Sequence, residues 1–263
     1  MTLQLLICTY NEGILRIPAL LLPPTDEVSY MVSFQYDDEH FLTHLDHPCF
    51  HRPDVTLTQI HGRGLAANRN HALSQATGDI MLLSDDDVSY RPEQLQRVVR
   101  HFQEDQDLDI ACFRAAQTDG SLIKSYAPHP FSYQEQPRGT YFSSIEIALR
   151  PTARLPRFDE RFGLGAPFLS AGEEEVFLWQ AYRQGLRIWY FPETIVTTPP
   201  NTTGSCFFTT PSVQRSKGAV LCVMHGPIGA WLRCLKFAFT HMRHGHPLRM
   251  LREMTRGILY VKS

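Results

Sequence analysis

Residues 77–87, TGDIMLLSDDD, decide how this chain is read. Residues 79–84 are an apolar run with polar ends, the pattern of a strand buried on both faces in a parallel sheet. Asp85, Asp86 and Asp87 follow at its carboxyl end. Three adjacent carboxylates repel one another, so a fold that gathers them usually offers a compensating cation. The carboxyl ends of parallel strands are also where open α/β sheets bind ligands. The bland alternative is a solvated loop whose aspartates cap the next helix.

The flanking sequence repeats the strand pattern. Residues 3–8 (LQLLIC) read as a buried strand that ends in Thr9-Tyr10-Asn11-Glu12. Residues 28–35 and 55–60 read as two more, the first followed by Asp37-Asp38, the second by a Gly62-Arg63-Gly64 turn. Residues 65–75 read as a helix. Pro92 suits the first turn of another, with Leu95, Val98, Val99 and Phe102 on one face. Residues 108–113 form a fifth strand. This order predicts an α/β fold built on an open sheet. The second half is less regular. Strands are expected at 122–126, 141–149 and 187–191, and a helix from Gly172 to about Gly185. Pro199-Pro200-Asn201-Thr202-Thr203-Gly204 marks an expected end of the core, followed by an apolar, basic helical tail.

Composition narrows the class. The chain has 263 residues, 43% hydrophobic and 20% charged, which excludes disorder, collagen and coiled coil. A net charge of −2 excludes the whole molecule as a polyanion binder, and no nucleic-acid partner is expected. Residues 226–263 nevertheless carry seven Lys/Arg and one acid, while the other 225 residues carry 18 bases and 26 acids. Six scattered cysteines without a CxxC pair read as reduced thiols of a cytoplasmic protein. The N-terminus lacks the basic region of a signal peptide. No apolar run reaches the ~18–20 residues of a membrane span; residues 218–239 come closest. Without a secretory route the sequon Asn201-Thr202-Thr203 carries little meaning.

Other clusters read in two ways when taken singly. Glu173, Glu174 and Glu175 after Gly172 suit the positive end of a helix dipole, or supply a general base. Gly64 followed by a helix start suggests a phosphate site, but no P-loop or GxGxxG is present, and Arg69 taken alone reads rather as an ordinary exposed helix residue. His40, His44, His47 and His51 have spacings that zinc could use on a helix, but Pro48 argues against a regular helix there. The tail mixes Trp231, Leu232, Leu235 and Phe239 with Arg233, Lys236 and Arg243. It reads either as a basic amphipathic element for an anionic membrane surface or as a helix packed on the core.

Taken together, ICTYNE, GLAANRNHAL, TGDIMLLSDDD and AGEEEVFLWQAYRQG resemble, in order and spacing, the family 2 glycosyltransferases of the GT-A fold. The resemblance covers roughly residues 1–200. It implies a Rossmann-like, open, mostly parallel sheet flanked by helices, with a C-terminal helical tail. A catalytic domain would span 1–204, its donor half about 1–115 and its acceptor half about 116–204, with the tail at 205–263. The resemblance places Thr9, Tyr10, Asn11 and Glu12 beside the nucleotide, Asp37 or Asp38 at its base, and Arg69 near the donor. Asp85 and Asp87 become the outer members of a D-x-D motif that touches the ribose and coordinates a divalent cation, Mn²⁺ or Mg²⁺. Which of Asp85, Asp86 and Asp87 does which stays open. Glu174 becomes the catalytic base, with Glu173 as a supporting contact, and residues 157–165 help form the acceptor side.

Two departures accompany the match. The base position holds Glu where Asp is common. Thr197 and Thr198 stand where many GT-A enzymes place a metal-binding histidine, with His225 as a distant substitute. The expected activity is inverting transfer of a sugar from a nucleotide-sugar donor to a glycan or lipid-linked glycan, in the cytoplasm or at the inner face of its membrane. Two alternatives remain: a nucleotide-sugar-binding module without turnover, and a nucleotidyltransferase, for which residues 9–13 lack a basic phosphate loop.

Overall fold

The structure, a computed structural model, describes residues 1–200, 207–243 and 246–262. The sequon, the 201–204 stretch, Cys206 and the expected boundary at residue 204 lie outside the described residues. Two compact units emerge. One comprises Met1–Arg63, Ala67–Pro156 and Ala181–Pro200; the other comprises Gly64–Ala66, Arg157–Gln180 and the described residues beyond 206. They divide the chain differently from a cut at 204.

The first unit is built on β1 (Leu3–Tyr10), β2 (Val28–Tyr36), β3 (Val55–His61), β4 (Ile80–Asp85), β5 (Ile110–Gln117), β6 (Phe131–Ser132), β7 (Ile147–Leu149) and β8 (Ile188–Thr198). They form one sheet in the order β3-β2-β1-β4-β7-β5-β8-β6. β1 pairs in parallel with β2 and β4, and β2 with β3. β7 runs antiparallel between β4 and β5, and β6 antiparallel to β8, so the sheet is mixed but mostly parallel. Seven of the eight residues of β1 and five of the six of β4 are buried, as strands covered on both faces must be. Burial of each Leu or Ile there is worth about 1.5–3 kcal/mol.

Short 3₁₀ turns and a one-turn helix α1 (Ile17–Leu20) follow β1. α2 (Leu65–Gln75) follows β3, and α3 (Pro92–Glu104) buries Leu95, Val98 and Phe102 against the sheet. The Gln94 side chain accepts a hydrogen bond from the Arg91 amide at 2.8 Å and so fixes the start of α3.

The sequence expectations fail in the region of residues 119–149. Residues 122–126 are no strand: Leu122 makes one isolated bridge to Ala116. Lys124 and Tyr126 instead turn their side chains to the fully buried Glu146. The expected strand at 141–149 shrinks to β7, because residues Ser144–Glu146 form a 3₁₀ turn in which the Glu146 carboxylate accepts from the Ser143 amide. The late strand is longer than expected. β8 continues past Pro192 because its pairing with β5 shifts register between Cys112 and Arg114, and a bulge tolerates the missing N–H.

The second unit holds the start of α4 (Glu173–Arg183), with α5 (Pro211–Thr240) and α6 (Pro247–Lys262). Phe162, Leu169 and Val176 pack with Ala219 and Val220 of α5. The core therefore does not end near residue 204. α5 departs from helical geometry at Gly226 (φ 71°, ψ 169°), just before Pro227. By length and composition alone α5 could cross a membrane. Its two halves, 211–225 and 227–240, each fall short of the ~20 residues a span requires.

α5 and α6 meet backbone to backbone. A Cβ on Gly218 would stand 1.9 Å from the Met254 carbonyl oxygen, and one on Gly257 1.9 Å from that of Arg215. Beside this crossing Glu253 is buried and ion-paired with Arg215, Arg252 and Arg256. Burial works to raise its pKa, and the three guanidinium groups overcome this and hold it below the usual carboxylate range. Gly218→Ala and Gly257→Ala should each destabilise the protein by about 1–3 kcal/mol, the usual cost of overpacking. Urea unfolding midpoints measure this, and unchanged midpoints in both variants would remove the close crossing.

Candidate active site

In the first unit, the carboxyl ends of β1, β2 and β4 bring together the residues that the sequence places near a nucleotide. β1 ends in Thr9 and Tyr10. The chain then enters a 3₁₀ turn, Asn11–Arg16, through Asn11, which has a positive φ of 45°. The Asn68 amide of α2 donates to the Thr9 carbonyl at 3.0 Å and ties helix to strand.

The three aspartates after β4 have separate environments. Asp86 accepts from the Thr9 hydroxyl at 2.6 Å and from Arg16 Nη1 at 2.8 Å. It occupies the space that a side chain on Gly13 would fill, since a Cβ there would lie 1.9 Å from Asp86 Oδ2. Asp85 is half-buried, with Arg69 Nη2 and the Ser144 hydroxyl each 3.4 Å from its Oδ1. Arg69 itself is 2% exposed and donates to Ser144 Oγ at 2.7 Å. Asp87 reaches solvent, and partial desolvation and the charges of Asp85 and Asp86 push its pKa up. The Asp85 and Asp87 oxygens are hard ligands of the kind that Mg²⁺ and Mn²⁺ take. Among the described residues, no group of three or more His, Cys, Asp or Glu side chains is arranged to hold a metal alone.

Behind Ser144 lies a buried polar cluster. Lys124 donates to Glu146 at 2.6 Å, Tyr126 hydrogen-bonds the other carboxylate oxygen, and the Lys124 ammonium lies 4.1 Å from the Tyr141 ring centre. Burial raises the Glu146 pKa, opposed by Lys124 and Tyr126. Removing one partner of such a pair typically costs about 3–5 kcal/mol. The cluster fixes the 3₁₀ turn that presents Ser144 to Arg69. Ser144, Arg16, Gly13 and Glu146 were not among the residues singled out from sequence. Gly13, directly after the Thr9–Glu12 quartet, was the one available hint. Ser144 lay inside an expected strand.

The two aspartates after β2 differ in the same way. Asp37 exchanges hydrogen bonds with Asn11 (Nδ2 to Oδ1 2.8 Å; Asp37 N to Asn11 Oδ1 3.2 Å). Hydrogen bonds from the Tyr10 hydroxyl and Asn11 hold its carboxyl below the usual range. Arg63 lies over the Tyr10 ring. Asp38 instead accepts from the His40 amide and caps the following 3₁₀ turn. Glu12 is exposed. Thr197 pairs with Ser89 through two backbone hydrogen bonds, so the end of β8 braces the loop that follows Asp87. Of the four spaced histidines, His47 accepts from the Cys49 amide in a second turn, and they share no helix face.

In the second unit, the three glutamates at the start of α4 diverge. Gly172 precedes them with φ 93°. Glu173 is buried, its carboxylate lying 2.9–3.2 Å from where a Cβ on Gly163 would stand, and Gly163 too has a positive φ. Glu175 faces Lys217 of α5 at 3.5 Å. Glu174 lies between them, half-exposed. The first half of α5 clasps the segment leading into this helix. Ser216 Oγ accepts from the Ala171 amide at 3.2 Å, Arg215 donates to the Phe168 carbonyl at 3.1 Å, and Ser170 and Ser212 share a hydrogen bond. His225 ends that half, and burial and Arg233 lower its pKa, which favours the neutral ring.

Comparison with known proteins converges on this description. The family described as Glycosyl transferase family 2 matches residues 48–153, the segment carrying Arg69 and the three aspartates. No curated protein matches by sequence. Among solved structures, a 1–349 fragment of S. aureus TarS superposes with a TM-score of 0.62 at 15% identity, covering 100% of this chain and 91% of that one. The same fragment in complex with UDP-GlcNAc gives 0.63 at 14% identity, covering 100% and 92%. A longer S. aureus TarS chain gives 0.57 at 19% identity, covering 94% of this chain and 44% of that one. At such identities the likeness is one of fold, and the fold is GT-A.

The packing of Asp86 against Gly13 generates a test. Gly13→Ala must displace the carboxylate from Thr9 and Arg16, and should weaken nucleotide diphosphate binding at least ten-fold by calorimetry, about 1.4 kcal/mol. Equal affinity for variant and parent would show that the loop after β1 does not depend on Asp86.

Proposed function

With a glycosyl transferase family 2 segment on a GT-A fold as premise, the chain is a glycosyltransferase, and we propose that it is an inverting one that uses a UDP-sugar donor. We further propose that its acceptor is a hydroxyl of a glycan or lipid-linked glycan, and that its basic C-terminal helices meet an anionic membrane surface in the cytoplasm. The carrying observation is the convergence of Thr9, Tyr10, Asp37, Arg69 and the three aspartates at the carboxyl ends of neighbouring parallel strands. The donor assignment is supported by S. aureus TarS fragments in complex with UDP and with UDP-GlcNAc. A cytoplasmic setting is supported by free thiols at Cys8, Cys49, Cys112, Cys222 and Cys234.

In this reading Tyr10 and Asn11 hold Asp37 toward the nucleotide base, and Asp38 is spent on its turn. Asp86 does not bind donor directly; it holds the loop after β1 in shape through Thr9 and Arg16. Asp85 and Asp87 would hold a divalent cation, Mn²⁺ or Mg²⁺, which when bound neutralises charge on the leaving diphosphate. Arg69, oriented by Ser144, places positive charge beside Asp85 and fixes its carboxylate. Glu174 accepts the proton of the acceptor hydroxyl as that oxygen attacks the anomeric carbon. The new C–O bond forms as the bond to the diphosphate oxygen breaks, and configuration inverts. Glu173 supports the 163–165 loop rather than the reacting atoms, and Glu175 is engaged by Lys217.

Glu174→Gln keeps shape and removes basicity. It should lower turnover by about 10²–10⁴-fold with little change in UDP affinity, while Glu175→Gln costs almost nothing in rate. Turnover can be followed by UDP release from a panel of UDP-sugars with Mn²⁺. If Glu173→Gln or Glu175→Gln is the slow variant, the base is that neighbour. If the parent binds UDP-sugars but turns none over on any acceptor, the chain is a binding module.

A further inference from the structure

The half of α5 after the Gly226 break is apolar on two adjoining faces. Ala230, Cys234 and Ala238 form the inner face and pack on Met250, Met254 and Ile258 of α6. Ile228, Trp231, Leu232 and Phe239 lie on the outer face and are 43–79% exposed. Leu235 lies between them, and exposed Met242 continues the line in the following turn. At ~100° per residue the outer residues fall in one stripe roughly 100° wide, its centre turned about 100° from that of the small residues that meet α6. Exposed large apolar residues gathered in this way mark a docking surface rather than chance.

The charges around the stripe identify what docks. Lys236 is exposed next to the stripe, Arg243 is exposed in the turn that follows, and Arg233 is exposed further round the helix. Glu253 is the sole carboxylate among the described residues beyond 206, and it is buried among three arginines. Every exposed formal charge on α5 and α6 is therefore positive. A second copy docking through the same helices would bring positive charges together with no exposed carboxylate on α5 or α6 to answer them. An anionic bilayer meets both features, because its headgroups attract the basic residues and its acyl boundary takes the apolar stripe, with Trp231 suited to the interface.

We propose that the outer face of residues 227–242 is the docking face of this enzyme on an anionic lipid bilayer, with the helix lying in the interface rather than crossing it. This rests on the membrane part of the function proposed above and names the surface that performs it. The two halves of α5 then have different tasks. Residues 211–225 brace the helix that carries Glu174, and residues 227–242 hold the enzyme on the surface where a lipid-linked acceptor resides.

Sedimentation of the full chain with vesicles tests this, using phosphatidylcholine alone and with one quarter phosphatidylglycerol. The intact protein should bind the anionic vesicles and lose binding as salt rises. The variant Trp231→Ser/Leu232→Ser/Phe239→Ser should bind at least ten-fold more weakly, and Arg233→Gln/Lys236→Gln/Arg243→Gln about five-fold more weakly per charge removed. Both should keep parental UDP affinity, which separates a lost surface from a lost fold or a wrong donor. If the serine variant folds and binds vesicles like the parent, the stripe is not the docking face although a membrane partner stands. If the intact protein ignores anionic vesicles at low salt, both the docking face and the membrane partner fall. A vesicle-free dimer that the serine variant abolishes would assign the stripe to a second copy and overturn the proposal.

Discussion

Three carboxylates follow one another at the end of β4, and their mutual repulsion has to be answered at that spot, because the strand before them is buried and cannot move away. The fold answers it unequally. Asp86 is neutralised inside the protein by Arg16 and Thr9, Asp85 is approached by Arg69, and Asp87 is left toward solvent with a raised pKa. The unequal treatment makes the cluster usable. One carboxylate becomes part of the scaffold, one is approached by a buried arginine, and one faces solvent. Two surrounding oddities belong to it: the glycine at 13, whose Cβ would strike Asp86, and an arginine buried to 2% in the middle of α2.

Support for that arrangement comes from far along the chain. Arg69 is held by Ser144, Ser144 is presented by a 3₁₀ turn, and the turn is capped by Glu146, whose charge is met by Lys124. A buried polar network of this kind is costly if half made and rigid if complete. Its completeness explains why residues with good strand character do not form strands. Pairing 122–126 as a ladder would leave the Glu146 carboxylate without its ammonium.

The C-terminal helices show the same economy. The break at Gly226 separates a half of α5 that clasps the segment before Glu173 from a half with an exposed apolar stripe. The single acid of this region is hidden where α5 and α6 cross. The burial of Glu253 among arginines leaves the exposed charge of these helices positive, while Gly218 and Gly257 let them cross backbone to backbone.

Much of this was legible in the sequence. Buried parallel strands write themselves as continuous apolar runs, so 3–8 and 79–84 could be read directly; 28–35 and 55–60 showed as strands of mixed polarity, and the 65–75 helix could be read to the residue. The order of strands, the acidic strand end and the glutamate-rich helix start pointed to the fold. These features are local, set by neighbours a few positions apart. What the sequence could not determine is which aspartate is structural and which is available, because that depends on Arg16, Thr9, Arg69 and Ser144, as many as 77 positions away. Nor could it foresee that Glu173 is buried beside Gly163 or that Glu175 faces Lys217. Hydrophobic pattern is carried along the chain. Charge compensation is carried through space, so it was decided only when the tertiary structure brought the opposite charges together.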